Sequence, residues 1–423
     1  MPDVRSSITD AVQFYGSSTP RELVREYGSP LYVYNETILR TRCRELLGLS
    51  SHPGFRVNYS AKANTNPALL RIIREEGCVA DAMSPGELYL NKMAGFTPDQ
   101  LLYVCNNVPA EELAAAVDAG LIVSVDSLAQ LDLLGRTRPG CRAMVRLNPG
   151  IGAGHHQKVI TAGKKTKFGI SPASLPEVFD IVNAHKMRLS GLNQHIGSLF
   201  MEPEGYLNAM DVLLGIASRL RSEGRLNDLE ILDFGGGFGI PYHKYENQPR
   251  LDLTALGQGI HQRISEWSAQ NNYKGRFYVE PGRYISAECC VLLGTVTATK
   301  SNAETAYAGS DLGFNVLMRP VLYDAFHDIE IYRGTAPESE TVAQTIVGNI
   351  CESGDILAHN RELPRLKEND ILGVLDAGAY GYVMASTYNS RPRPAEVLIT
   401  KNGTPKLIRR RETLEDLAAL FTD

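Results

Sequence analysis

Val57-Asn58-Tyr59-Ser60-Ala61-Lys62-Ala63-Asn64-Thr65-Asn66-Pro67 reads as the end of a strand, a short loop and the opening of a helix. Val57, Tyr59 and Ala61 alternate with polar neighbours, the period-2 pattern of a strand. Asn66-Pro67 is a helix-start signal, and Leu69, Leu70, Ile72 and Ile73 continue from it at helical spacing. Lys62 is thereby placed at the C-terminal end of a strand, at the mouth of a strand–loop–helix unit. In a (β/α)8 barrel, catalytic groups gather there. An amine held among apolar residues loses solvation, and its neutral form is a nucleophile suited to Schiff-base chemistry.

The same alternation continues along the chain. Strand-like runs occur at Phe55–Ser60, Val79–Ala82, Leu101–Cys105, Ile122–Asp126, Ala143–Asn148, Gly191–Ile196, Leu229–Phe234 and Arg276–Glu280. Amphipathic stretches such as Pro85–Met93, Ala110–Ala119, Leu175–Ala184 and Tyr206–Leu220 lie between them. Eight strands in βα alternation predict a closed parallel (β/α)8 barrel of the TIM type, with an open doubly wound sheet as the alternative. Leu31–Tyr34 reads as an entry segment before the barrel. After residue 288 the runs Val291–Thr297, Ile329–Tyr332, Ile371–Leu375, Glu396–Thr400 and Lys406–Arg409 are short and separated by turn residues, which predicts a C-terminal antiparallel β domain. Lys401-Asn402-Gly403 marks a hairpin turn.

A chain of 423 residues exceeds what one core organises, so two domains are expected. Its 43% hydrophobic and 22% charged residues are ordinary for a globular protein, and a net charge of -5 gives no reason to expect nucleic acid or an anionic membrane as partner. The nearest basic patch holds four lysines between Lys158 and Lys167, behind His155 and His156. No run of 18 apolar residues is present, and Met1-Pro2-Asp3-Val4-Arg5 carries no apolar signal core. Seven cysteines without CxxC spacing argue against a disulfide framework or a zinc site and favour a reducing, cytoplasmic setting.

Four further clusters fall where a barrel would gather them. Asn193-Gln194-His195-Ile196-Gly197-Ser198 ends the sixth strand, where His195 could stack on a flat ring and Ser198 could donate to a phosphate. Gly235-Gly236-Gly237 follows the seventh strand, and consecutive glycines free backbone N–H groups to cradle phosphate. Glu280-Pro281-Gly282-Arg283 ends the eighth, where a buried carboxylate needs a cationic or hydrogen-bonding partner such as a protonated pyridine nitrogen. Arg283 has the fork geometry for a phosphate or carboxylate. The last cluster is spread over Cys351–Asp355, Asp376–Tyr380 and Tyr388–Pro394, which are polar and turn-rich.

Tyr59–Asn64, His195–Ser198, Gly235–Gly237, Glu280–Arg283, Cys351–Asp355 and Asp376–Tyr380, in this order, resemble the fold-type III pyridoxal-phosphate decarboxylases. Within that family the match is closest to the branch acting on diaminopimelate, to which Arg319-Pro320-Val321-Leu322-Tyr323 and Asn389–Pro394 are also similar. The resemblance implies an alanine-racemase-like barrel over residues 30–288. A β-sandwich or β-barrel domain would be built from 1–29 and 289–423, and the active sites would be shared in a homodimer. Lys62 would hold pyridoxal 5'-phosphate as a Schiff base, and His195 would stack on its ring. Ser198, Gly235, Gly236, Gly237, Gly282, Arg283 and Tyr380 would surround the cofactor, with Glu280 at its nitrogen. Arg283, Arg319, Tyr323, Glu352 and Tyr380 would bind substrate. Cys351 would donate a proton, arriving with Glu352 from the second subunit.

The expected reaction is decarboxylation of meso-2,6-diaminopimelate to L-lysine and CO2. Two arginines at a distal site suit a substrate with a second carboxylate, whereas ornithine or lysine would call for acidic groups. A racemase of this fold would be expected to face the ring nitrogen with arginine rather than Glu280. Two departures stand out: Asn349 where the family pattern has proline, and the segment Ala308–Asn315. They keep open a relative that decarboxylates another acidic or carrier-bound amino acid.

Overall fold

The computed structural model describes residues 6–148, 167–303, 305–333 and 340–422; of the basic patch beginning at His155, all but Lys167 lies outside the described residues. The chain divides into two compact units, Arg40–Ile240 with Arg250–Ile285, and Met1–Leu39 with Pro241–Pro249 and Ser286–Asp423.

The first strand, β1 (Leu31–Asn35), belongs to the second unit. The first unit is a closed barrel of β2 (Phe55–Tyr59), β3 (Val79–Ala82), β4 (Leu101–Val104), β5 (Ile122–Val125), β6 (Arg142–Leu147), β7 (Arg188–Gln194), β8 (Ile231–Asp233) and β9 (Arg276–Val279). Every adjacent pair is parallel, and β9 closes on β2 with Phe55 opposite Phe277. Strands of a parallel barrel are covered on both faces, which is why β4 and β5 are buried at every position. Leu102, Val104, Ile122, Met144, Ile231 and Tyr278 from these strands form one apolar cluster.

Several crossover helices carry their own start signals. Asn66 accepts from the N–H of Ala68 and Pro67 occupies the first turn, so the helix Pro67–Glu75 begins at once after the Lys62 loop and buries Leu69, Leu70, Ile72 and Ile73. Ser84 caps Pro85–Met93, and Asp252 caps Leu253–Gln270 by accepting two N–H groups. The loop that carries Lys62, between Tyr59 and Pro67, is therefore short and bounded by two fixed elements.

The second unit is a mixed sheet. Its remaining strands are β10 (Cys290–Asn302), β11 (Thr305–Ser310), β12 (Ile329–Tyr332), β13 (Thr341–Val347), β14 (Ile356–Pro364), β15 (Ile371–Val374), β16 (Ala395–Ile399) and β17 (Pro405–Arg409). Most pairs are antiparallel, but β1 runs parallel to β16 and β11 parallel to β13, so the sheet is not wholly antiparallel as expected. Leu31–Tyr34 is also not a mere entry segment. It lies inside β1, buried throughout, with Leu31 opposite Leu293 on one side and Ala395 on the other. Phe14, Leu23, Val33, Val291, Leu293, Tyr332, Ile371 and Val397 pack as the core of this unit.

Candidate active site

Lys62 stands in the single turn Ala61–Ala63 directly after β2. Asp81 of β3 forms the floor of that turn, accepting from Ser60 Oγ at 2.9 Å and from the Ala61 N–H at 2.8 Å. On the other side the Ser60 N–H donates to the carbonyl of Pro281 at 3.0 Å. Gly282 suits this approach, since a Cβ there would lie 3.0 Å from the Ala63 Cβ and 3.2 Å from the Ser60 Cβ, tight enough that a neighbour would have to shift. Lys62 is half-buried. Its surroundings differ from the apolar sheath expected, because Asp81, Glu87, Glu280 and His195 all lie within electrostatic reach of its amine.

The carboxyls of this mouth are shifted upward, mainly by burial. Asp81 is pushed up to about 8 by desolvation first and by Glu280 second, with Lys62 opposing. Glu280, 6% exposed, is raised well above the usual range by burial and then by Asp233. Asp233 rises to about 6, again mainly from burial. Arg146 of β6, buried against the Phe168 ring at 4.7 Å, supplies the compensating positive charge toward Glu280 and Asp233. Glu280 Oε1 is buried without a hydrogen-bond partner among the described residues.

His195 follows β7 with its side chain 14% exposed. Its Nδ1 accepts the N–H of Gly236 at 3.1 Å and lies 3.9 Å from Glu280 Oε2. Burial, followed by the charges of Lys62 and Arg146, holds the imidazole well below its ordinary pKa and therefore neutral.

The glycine run is pinned on several sides. The Gly235 carbonyl accepts from Tyr206 Oη at 2.9 Å and from the Glu280 N–H at 2.8 Å, while its own N–H donates to Asp233 Oδ1 at 2.9 Å. A Cβ on Gly236 would fall 1.8 Å from the Glu280 carbonyl oxygen. With the N–H groups of Gly235 and Gly236 thus engaged, Gly237 is the one of the three whose N–H has no acceptor among the described residues. Three free N–H groups were expected. Close backbone approach is what demands the other two glycines. Arg283, 6% exposed, donates to Ser198 Oγ at 3.0 Å.

Lys62, His195, Ser198, Gly235–Gly237, Glu280, Gly282 and Arg283 are thus gathered at the strand C-termini of the barrel unit. The remaining residues singled out belong to the second unit. Arg319 and Tyr323 begin and end one short helix; buried Arg319 donates to His327 Nε2 at 2.7 Å and covers the Tyr242 ring. Tyr380 follows β15 in a turn with φ +58°. Cys351 and Glu352 are exposed in the turn between β13 and β14. All seven cysteines are free, and Cys351 is the exposed one. The two departures meet, since a Cβ on Gly313 would lie 2.7 Å from Asn315 Oδ1 and 3.2 Å from Asn349 Oδ1.

Asp81, Arg146, Asp233 and Tyr206 escaped sequence reasoning. A signal existed for Asp81 and Asp233, each the one charged residue of an otherwise apolar barrel strand, and for Arg146, set among Met144, Val145 and Leu147 in β6. Among the described residues no cluster of His, Cys, Asp and Glu is arranged to hold a metal ion, and no helix is long and apolar enough to cross a membrane.

Residues 40–287 match the family described as pyridoxal-dependent decarboxylase, pyridoxal binding domain. A diaminopimelate decarboxylase of Methanothermobacter thermautotrophicus is 41% identical, over 95% of this chain and 94% of the relative. The Escherichia coli K12 diaminopimelate decarboxylase is 34% identical, over 94% and 95%. The crystal structure of diaminopimelate decarboxylase from Helicobacter pylori complexed with L-lysine superposes with a TM-score of 0.86 at 28% identity, covering 95% of this chain and 99% of that one.

Proposed function

This chain belongs to the diaminopimelate decarboxylase family of pyridoxal-dependent decarboxylases, and from that premise we propose that it converts meso-2,6-diaminopimelate to L-lysine and CO2. The observation that carries the reading is the grouping of Lys62, His195, Glu280 and the Gly235–Gly237 loop at one barrel mouth. Those residues fit pyridoxal phosphate. Glu280 Oε1 is buried without a hydrogen-bond partner among the described residues, and the Gly237 N–H has no acceptor among them.

When bound, pyridoxal phosphate supplies the electron sink that makes loss of CO2 from an amino acid feasible. Lys62 is its covalent anchor. Burial raises both Glu280 and Asp233, and Glu280 is suited to share a proton with a pyridine nitrogen. The neutral His195 ring can lie flat on an aromatic plane without adding a buried charge. Ser198, oriented by Arg283, would take the phosphate together with the Gly237 N–H, Gly282 and Tyr380, while Gly235 and Gly236 allow the close backbone approach that shapes the loop.

Arg283, Arg319 and Tyr323 receive the distal carboxylate end of the substrate, and Glu352 reaches the distal amine. Cys351 delivers the proton to the α-carbon, a role a positioned thiol can fill as general acid. Cys351 and Glu352 come from the partner in a homodimer. Free cysteines throughout the chain support a cytoplasmic setting.

The test supplies cofactor-loaded protein with meso-diaminopimelate, L-lysine and L-ornithine in parallel and follows CO2. Release from the diacid alone is expected, whereas faster release from ornithine or lysine overturns the substrate reading. Lys62→Ala should also abolish the visible absorbance of the lysine-bound cofactor; persistence of that band would remove the anchor role.

A further inference from the structure

The Cys351 turn is held from below by its own residues and from the side by a second segment. Asp355 organises the base. Its Oδ1 accepts the Phe314 N–H and its Oδ2 the Ile350 N–H, both at 2.7 Å. Neither bond reaches Cys351 itself. The side support comes from Tyr388–Arg391, where three side chains engage the turn in sequence. Tyr388 Oη donates to Glu352 Oε1, Asn389 Oδ1 accepts the Cys351 N–H at 2.8 Å, and Arg391 donates to the Asn349 carbonyl at 3.0 Å. The Tyr388 ring also stacks on Phe314, with centroids 5.7 Å apart.

The backbone of this support is strained. Asn389 and Ser390 take φ of 53° and 52°, consecutive left-handed conformations outside glycine. Such backbone costs free energy and persists where surrounding contacts hold it. Asparagine is among the residues that tolerate it best. The side chain that fixes Cys351 is thus mounted on backbone that suits asparagine and that most other residues would resist.

We infer that Asn389 is a positioning residue for Cys351, aiming the thiol by fixing its peptide plane through Oδ1. The inference rests on the proton-donor role given to Cys351 above. Glu352, tied to Tyr388, is set by the same segment.

The test is a double-mutant cycle on the full-length, cofactor-loaded protein with meso-diaminopimelate: wild type, Asn389→Ala, Cys351→Ala and the double variant. Asn389→Ala is expected to lower kcat about tenfold, the scale of one hydrogen bond. The cofactor dissociation constant should stay unchanged, Tm should fall only slightly because alanine tolerates the left-handed backbone less well than asparagine, and KM should move less than kcat. In the Cys351→Ala background the same substitution should change kcat less than about twofold, since coupled residues are not additive. An undiminished tenfold effect in that background overturns the inference alone. Wild-type turnover in Cys351→Ala overturns the donor role and the inference with it.

Asn389→Asp covers the case in which alanine at this position unfolds the turn. It keeps the acceptor and the left-handed preference, so most of kcat should return. The added negative charge disfavours a nearby thiolate and should move the basic limb of the pH–rate profile to higher pH. An aspartate variant as slow as the alanine variant, or one with an unmoved profile, overturns the inference.

Discussion

The Gly236 N–H donates to Nδ1 of His195 at 3.1 Å, so the neutral ring carries its proton on Nε2. A histidine whose folded pKa lies below its unfolded value of about 6.5 adds stability above that pH and loses it as pH falls further. The cofactor-free protein should therefore lose stability between pH 7 and pH 5 less steeply as His195→Gln, by at most about 1.4 kcal/mol per pH unit. Parallel pH curves for the two proteins, measured as Tm, would contradict the neutral assignment.

Asp81 works in the opposite direction. Its folded pKa of about 8 stands above the unfolded carboxyl value, so its stabilising contribution is complete below about pH 4 and is lost as pH rises through 8. Asp81→Asn keeps an acceptor for the Ala61 N–H and removes the ionisation. Cofactor-free Asp81→Asn should lose less stability than wild type between pH 5 and pH 8, by on the order of 2–4 kcal/mol. A wild-type melting curve flat over that range would show that Asp81 is ionised throughout.

Gly236→Ala tests the cradle without touching a functional group. Its Cβ would meet a backbone carbonyl at 1.8 Å, which no rotamer change relieves. Destabilisation above about 3 kcal/mol is expected, together with lost cofactor binding. Gly205→Ala, with nothing within 4 Å in its helix, is the control and should gain up to about 1 kcal/mol. Equal behaviour of the two variants, read by thermal melts and cofactor titration, would mean that the loop can open.

The barrel was legible because its strands are apolar on both faces, so runs such as Ile122–Val125 stand out without any partner. Leu31–Tyr34 looks the same locally. Only its pairing with Leu293 and Ala395, more than 250 residues away, assigns it to the other sheet. Strands β11, β13 and β14 went unread because Gly309, Gln344 and Asn360 interrupt their apolar pattern. At the site, Lys62, His195 and Glu280 stand just beyond strand ends, where position alone suggests chemistry. Asp81, Arg146 and Asp233 lie within strands, where a charge reads as solvent-facing until barrel closure turns it inward. Tyr206 carries no local signal, since a tyrosine on a helix is ordinary core.

Cys351→Ala separates the proton donor from a structural thiol. Loss of a general acid should cut kcat by about 10²–10⁴ while cofactor affinity holds. Parallel loss of turnover and of cofactor affinity would make the cysteine structural.

The measurement closest to the central claim is turnover of meso-diaminopimelate in D2O by the cofactor-loaded protein, with CO2 counted and the products resolved by mass spectrometry and NMR. One CO2 per lysine, with a single deuterium at the ε-carbon, the centre that lost CO2, is the predicted outcome. Diaminopimelate recovered without CO2 release, or recovered epimerised with deuterium at a stereocentre, would contradict decarboxylation by this chain.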